Sequence, residues 1–187
     1  MQIDVQTYLD LAEETGKLVF LDIESSGLRG DYNSIICISL KPYNKDPYTF
    51  RIKALGNDVK VVRDVKEELK KYGCMVTYYG SGFDLPMIQT RLLKWGQLPV
   101  EPIFHIDMYY KLKHRLLTAR KSQGHLLSFL ETPEEKMSVS ASAWSEMGFK
   151  LAEHLPTMIE RCESDVAGLE ALYKRTRHLI GDIKRSS

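Results

Sequence analysis

The sequence has little cysteine, and what it has is scattered. Cys37, Cys74 and Cys162 are far apart, odd in number and set in apolar surroundings. There is no CxxC pair to begin a zinc site, so the three read as reduced, buried thiols that suit a reducing cytosol. An excess of charge is missing too: 26 basic against 25 acidic side chains leave a formal net charge of +1. That balance does not announce a nucleic-acid binder. It does not exclude one either, because an acidic pocket and a basic rim cancel in the sum. No apolar run approaches membrane-spanning length. The opening stretch, MQIDVQTYLDLAEETGK, is acidic and lacks the basic start and apolar core of a secretory signal. The expectation is a soluble, cytoplasmic protein with no membrane partner. Internal repeats, low-complexity linkers and a second-domain boundary are also missing. Residues 1–187 are enough chain for one domain with a proper core, and one domain is expected.

What is present is an ordered series of periodic segments. Residues 3–15 place Val5, Tyr8, Leu9 and Ala12 at helical spacing. Residues 18–24 (LVFLDIE) are short, apolar and β-prone, and SSGLRG ends them. Residues 34–40 and 48–52 read as two more strands, joined by KPYNKDP with its turn chemistry. Short connections among three strands suggest an antiparallel meander. A helix over 58–72, with Gly73 after it, precedes a strand over 74–79. A helix over 83–95, with Pro86 in its first turn and Gly96 after its end, precedes a strand over 102–107. Helices follow at about 108–118, 126–130, 141–147 and 156–180. Parallel crossovers must run through helices. The order therefore predicts an α/β fold: a mixed five-stranded sheet, three antiparallel strands then two parallel, with helices on both faces.

Three acidic motifs stand out. Asp22 and Glu24 are two apart on the first strand and so project to one side of it. Two such acids beside buried residues call for a neutralising cation, unless the strand simply emerges at the surface there. Asp84, in GFDLP, sits at a strand-to-helix junction, where a carboxylate serves either as a helix cap or as a site residue. The strand before it would lie beside the first in a parallel layout, near the end where Asp22 and Glu24 project. Asp165 lies between the apolar runs of the last helix, facing solvent or a buried site.

Taken in order, LVFLDIESSGL, YYGSGFDLPMIQTR and RCESDVAGLEALY resemble the three motifs of the DnaQ-like (DEDD) 3′–5′ exonucleases of the RNase H-like superfamily. HIDMYYKL, and HLLSFLETPEEKMSV followed by Trp144, are similar to stretches of a bacterial and phage subgroup of predicted 3′–5′ exonucleases. The resemblance spans nearly the whole chain. It implies an RNase H-like fold, a bacterial or phage-infected cytoplasm, and phosphodiester hydrolysis with two divalent metal ions, Mg²⁺ or Mn²⁺, for which oxygen ligands are suited. It implies Asp22 as bridging ligand, Glu24 and Asp165 completing the site of the nucleophile-activating ion, and Asp84 holding the other through water. Family members usually place a tyrosine four residues before the last acid, or a histidine five before. Here those positions are Arg161 and Glu160. Arginine takes no proton near neutral pH but can hold a phosphate. Glu160 could act as base, yet it points about 100° from Arg161 on a helix.

Substrate contacts are expected from Ser25, Ser26 and Gly27 through their backbone, from Phe83 as core or as a wedge against a base, and from a basic stretch opened by aromatics: Tyr109, Tyr110, Lys111, Lys113, His114, Arg115, Arg120 and Lys121. His105 and Asp107 read instead as a polar network supporting the sheet end. The expected partner is nucleic acid, with single-stranded DNA or frayed 3′ ends first and RNA as the alternative. A polymerase or another replication or repair protein would be a second partner. A non-catalytic nucleic-acid-binding module of the same fold is the competing reading.

Overall fold

The computed structural model describes residues 4–134, 137, 146 and 150–181. The predicted helix over 141–147 lies outside the described residues except for Glu146, and Trp144 lies outside them too.

The chain opens with α1 (Val5–Glu14), whose first turn is capped by Asp4 accepting from the Gln6 and Thr7 amides. β1 (Leu18–Ser25), β2 (Ile35–Pro42) and β3 (Tyr48–Arg51) form the meander. α2 (Val59–Leu69), β4 (Cys74–Thr77), α3 (Asp84–Lys94) and β5 (Phe104–Asp107) follow. Among the described residues the elements that follow are helices: α4 (Met108–Leu112), α5 (Gln123–Phe129) and the long α6 (Leu151–Thr176), which ends in a 3₁₀ turn at Arg177–Leu179. The five strands lie in the order β3-β2-β1-β4-β5. β1–β2 and β2–β3 are antiparallel, and β1–β4 and β4–β5 are parallel. This is the predicted mixed sheet.

Alternation along β1 divides the core. Val19, Leu21 and Ile23 pack with Val61, Val62 and Val65 of α2 and Ile88 and Leu92 of α3. Leu18 and Phe20 pack on the opposite side with Leu9 of α1, Leu126 of α5 and Val166, Leu169 and Leu172 of α6. Helices thus cover both faces. Among the described residues no helix is long and apolar enough to cross a membrane.

Several boundaries differ from the periodicity, each for a local reason. The fourth strand ends at Thr77 rather than at residue 79, because Tyr79 takes a left-handed conformation (φ 63°) that turns the chain away. The fifth strand begins at Phe104, two residues beyond Pro102, which has no amide to donate. Gly96 has φ 65° just beyond α3, as expected of a helix stop. Gly73 has no positive φ, and its amide bonds to the carbonyl of Lys17 instead. α4 stops at Leu112, well short of residue 118. α6 begins at Leu151 and carries Pro156 inside its second turn rather than at its start.

Candidate active site

Asp22 and Glu24 continue the row begun by Leu18 and Phe20, so both carboxylates leave β1 on the face that α6 covers. α6 crosses β1 and β2 there and brings Asp165 to meet them. One carboxylate oxygen from each of Asp22, Glu24 and Asp165 lies within 4.8 Å of the other two. Glu24 and Asp165 are buried. Two features fix the depth of Asp165. Gln123, buried on α5, donates from Nε2 to the Asp165 carbonyl at 2.8 Å. Gly168, one turn later, faces α5 so closely that a Cβ would lie 2.8 Å from Leu127 Cδ1. A glycine inside a helix costs about 1 kcal/mol relative to alanine. Close seating of α5 against α6 is what it provides here. Beneath the trio the Cys162 thiol donates to the Asp22 carbonyl at 3.3 Å and lies 3.6 Å from Asp22 Oδ2. Burial, then the neighbouring Cys37 thiol, pushes Cys162 well above its ordinary value, which keeps it a donor.

The predicted departure at the base position has a definite geometry. Arg161 Nε is 2.7 Å from Glu24 Oε1 and 3.8 Å from Asp165 Oδ2. The guanidinium therefore sits against the acids. Glu160 is exposed on the outer side of α6, one helical step away. Its carboxylate is not among the oxygens gathered within 4.8 Å.

Asp84 reaches the same end of the sheet from the start of α3 and is 4% exposed, but its oxygens are not among those gathered within 4.8 Å. Burial pushes its carboxyl up to about 7; repulsion from Asp107 and Glu24 adds to this, while its own amide and that of Ile23 pull it down. The repulsion from Glu24 and the pull of the Ile23 amide mark Asp84 as a neighbour of the trio, not a member of it. Asp107 is the residue whose importance the sequence understated. Its Oδ1 accepts from the Tyr79 amide at 2.9 Å and the Tyr109 amide at 3.1 Å, and its Oδ2 from the Ser81 amide at 2.9 Å. His105 Nε2 and Thr77 Oγ1 bond at 2.8 Å. The expected polar network at the sheet end is there.

Ser25, Ser26, Gly27 and Phe83 line one open cavity of about 340 Å³, together with Glu24 and Leu28. A volume of a few hundred Å³ suits a small-molecule or nucleotide ligand. The loop carrying Ser26 and Gly27 is held by a buried ion pair that sequence reasoning did not single out. Arg91 of α3 binds Asp58 through Nε at 2.7 Å and through a terminal nitrogen at 2.8 Å. The same guanidinium donates to the Gly30 carbonyl at 3.0 Å. Asp58 also accepts from the Ile35 amide and from Trp95 Nε1. Of the basic stretch, Lys111 and Arg115 are half-buried, and the cation that meets the tyrosine rings is Lys113, whose Nζ lies 4.5 Å from the Tyr110 centroid.

Three carboxylates opposed by one guanidinium leave an excess of negative charge in a largely buried place, and their hard oxygens suit Mg²⁺ or Mn²⁺. The residues fit a divalent cation. Comparison with known proteins agrees with the fold. A family model described as the RNase_H superfamily matches residues 19–177. Among curated proteins none matches. Among solved structures, a family B DNA polymerase from the hyperthermophilic archaeon Pyrobaculum calidifontis is similar, with a TM-score of 0.66 and 15% sequence identity over 86% of this chain and 24% of that one. The chain spans about a quarter of that polymerase's length, and the likeness is one of fold. The chain belongs to the RNase H superfamily.

Proposed function

We propose that this member of the RNase H superfamily is a single DnaQ-like domain, a metal-dependent 3′–5′ exonuclease that hydrolyses phosphodiester bonds of single-stranded DNA or frayed 3′ ends. The observation that carries the reading is the meeting of Asp22, Glu24 and Asp165 within 4.8 Å, from β1 and α6, with Glu24 also lining the cavity formed with Ser25–Leu28. Asp22, Glu24 and Asp165 would hold one divalent ion, and Asp22 and Asp84 a second. Such a pair supplies an activated water and a Lewis acid for the leaving 3′ oxygen.

The chain's own residues do the rest. The backbone of Ser25–Gly27 and one face of Phe83 seat the terminal nucleotide in the cavity. Arg161 balances the acids and turns to the scissile phosphate when substrate arrives, since a guanidinium matches phosphate oxygens well. Neither residue at the usual base positions serves as a dedicated base: Glu160 is exposed and Arg161 cannot accept a proton. Likeness to part of a DNA polymerase is the reason for placing DNA ahead of RNA, and a cytoplasmic replication or repair setting, with a polymerase as partner, follows the same thought.

One observation favours a second reading. The 2.7 Å contact of Arg161 with Glu24 would also suit a non-catalytic nucleic-acid-binding module in which arginine has taken a metal's place. A gel assay separates the two. A 5′-labelled single-stranded DNA and its RNA equivalent are incubated in EDTA, Mg²⁺ or Mn²⁺, beside Asp22→Ala. The exonuclease gives a descending ladder that needs metal and vanishes in the variant, and the ratio of DNA to RNA cleavage names the substrate. Intact substrate throughout, with binding retained, moves the conclusion to the module.

A further inference from the structure

β1, β4 and β5 run parallel, so their C-terminal ends share one edge of the sheet. Ligands of open α/β sheets collect at that edge. The acids occupy the β1 end of it. At the β4 and β5 end stands a feature the proposed chemistry does not use, a cluster of tyrosines. Tyr79 follows β4, and Tyr109 and Tyr110 follow β5. Tyr79 and Tyr110 lie nearly parallel, with an interplanar angle of 25° and centroids 6.0 Å apart. Tyr109 stands edge-on to both, at 5.1 Å and 5.2 Å. Lys113 Nζ lies over the Tyr110 ring at 4.5 Å.

Three facts set this cluster apart from ordinary surface tyrosines. Tyr79 and Tyr110 remain 45% and 42% exposed even though they pack together. Tyr79 adopts φ 63°, a left-handed conformation that bulky side chains rarely take. It is held there: its amide donates to Asp107 Oδ1, and its carbonyl accepts from the Gly82 and Phe83 amides. Gly82 is needed for the same arrangement, because a Cβ at that position would lie 2.5 Å from the Tyr79 ring. Lastly, Asp107 ties the cluster to the candidate active site, since it anchors the Tyr79 and Tyr109 amides and its charge acts on Asp84.

We infer that Tyr79 and Tyr110, with Lys113 beside them, form a stacking platform for nucleobases of a single strand whose 3′ end lies in the cavity lined by Glu24 and Phe83. Flat, part-exposed rings stack with any base that reaches them, and a cation next to them answers the strand's phosphates. The platform recognises single-strandedness rather than sequence, because inside a duplex the faces of each base are already stacked on its neighbours. It would hold a base upstream of the scissile bond and so set how many unpaired nucleotides an end must have to be engaged. The inference rests on the nucleic-acid reading above but not on catalysis.

The test is fluorescence anisotropy with a 5′-labelled single-stranded DNA in EDTA, where nothing is cut. Tyr110→Leu keeps bulk and removes the ring, and Tyr110→Phe keeps the ring. Binding by Tyr110→Leu is expected to weaken by about fivefold or more, and Tyr110→Phe to bind like the parent. A series of oligonucleotides carrying one abasic site, moved stepwise from the 3′ end, then finds the stacked base. At one position the abasic oligonucleotide should bind the parent as weakly as the intact one binds Tyr110→Leu, and the two losses should not add. A merely structural Tyr110 would give a loss that is additive at every position, and that result overturns the platform. So does parental protein that binds no single strand, as a surface made for a protein partner would. A protein that binds and shows the abasic signature but never cuts leaves the platform standing and sinks the exonuclease.

Discussion

Arg161 places Nε 2.7 Å from Glu24 and 3.8 Å from Asp165, so a fixed positive charge already lies where acids converge. That charge opposes an incoming cation, and it also relieves the acids when none is there. Removing it should have two opposite effects. Arg161→Gln is expected to bind Mn²⁺ about tenfold more tightly by isothermal titration, a gain of about 1.4 kcal/mol. It should also melt earlier in EDTA, by the one to three kcal/mol typical of a lost charge-assisted bond. Weaker Mn²⁺ binding in the variant would mean that Arg161 organises the acids instead of competing with metal.

Asp84 makes the metal-free protein sensitive to pH. Its carboxyl is raised from 3.8 to about 7, chiefly by burial, so the folded state holds a proton that the unfolded chain has released. A raised carboxyl contributes stability that is fully present below the unfolded value and is lost as pH rises through the folded one. In EDTA, stability should therefore fall between about pH 4 and pH 7, by up to roughly 4 kcal/mol through this group. Asp84→Asn cannot ionise and should flatten that part of the curve, so that the variant outlasts the parent at pH 8 and not at pH 4. Urea unfolding across this range checks it. An unchanged slope in Asp84→Asn would assign the pH dependence to other groups.

How much of this was legible beforehand depended on the range of the interaction. The strands and most helices were readable, because alternation and helical spacing are local patterns, and the parallel placement of β4 beside β1 followed from the crossover rule. Asp22 and Glu24 were paired correctly because a strand's period of two puts them on one side. The seating of Asp165 could not be read in the same way. It depends on Gln123 and Gly168, which look like ordinary helix residues until α5 lies against α6. Arg91 and Asp58 are separated by 33 positions and resemble surface charges in the sequence, but their side chains are 1% and 0% exposed. The shortened fourth strand came from Tyr79, whose left-handed backbone is imposed by Asp107 from another strand.

The Arg91–Asp58 pair offers a test of how the cavity is held. Losing one partner of a buried pair strands the other charge, at a cost of about 3–5 kcal/mol. Asp58→Ala should accordingly lower Tm by roughly 10 °C for a chain of this size, measured by circular dichroism. It should also slow nucleic-acid cleavage although Asp58 is outside the acid trio, because Arg91 donates to Gly30 in the loop that carries Ser26 and Gly27. Replacing both partners with apolar residues of similar volume should recover much of the Tm, since the desolvation cost of both charges disappears together. Full activity in Asp58→Ala at a temperature where it remains folded would show that the loop needs no such anchor.

Metal binding itself should register as stability before any substrate is added. Asp22, Glu24 and Asp165 repel one another at 4.8 Å or less, and Arg161 offsets one charge of three. A divalent ion that binds the folded state and not the unfolded chain stabilises by RT ln(1 + [M]/Kd), about 2.7 kcal/mol at one hundred times Kd. That corresponds to a rise of roughly 5–10 °C in Tm here. Asp22→Ala should behave in the opposite sense on both counts. Without metal it loses part of the mutual repulsion and should melt at or above the parent's Tm in EDTA, and with Mn²⁺ or Mg²⁺ its Tm should barely move. Differential scanning fluorimetry over a metal titration reads both. Equal metal-induced shifts in parent and Asp22→Ala would place the cation elsewhere on the chain, and the trio would then be an acid cluster balanced by Arg161 alone.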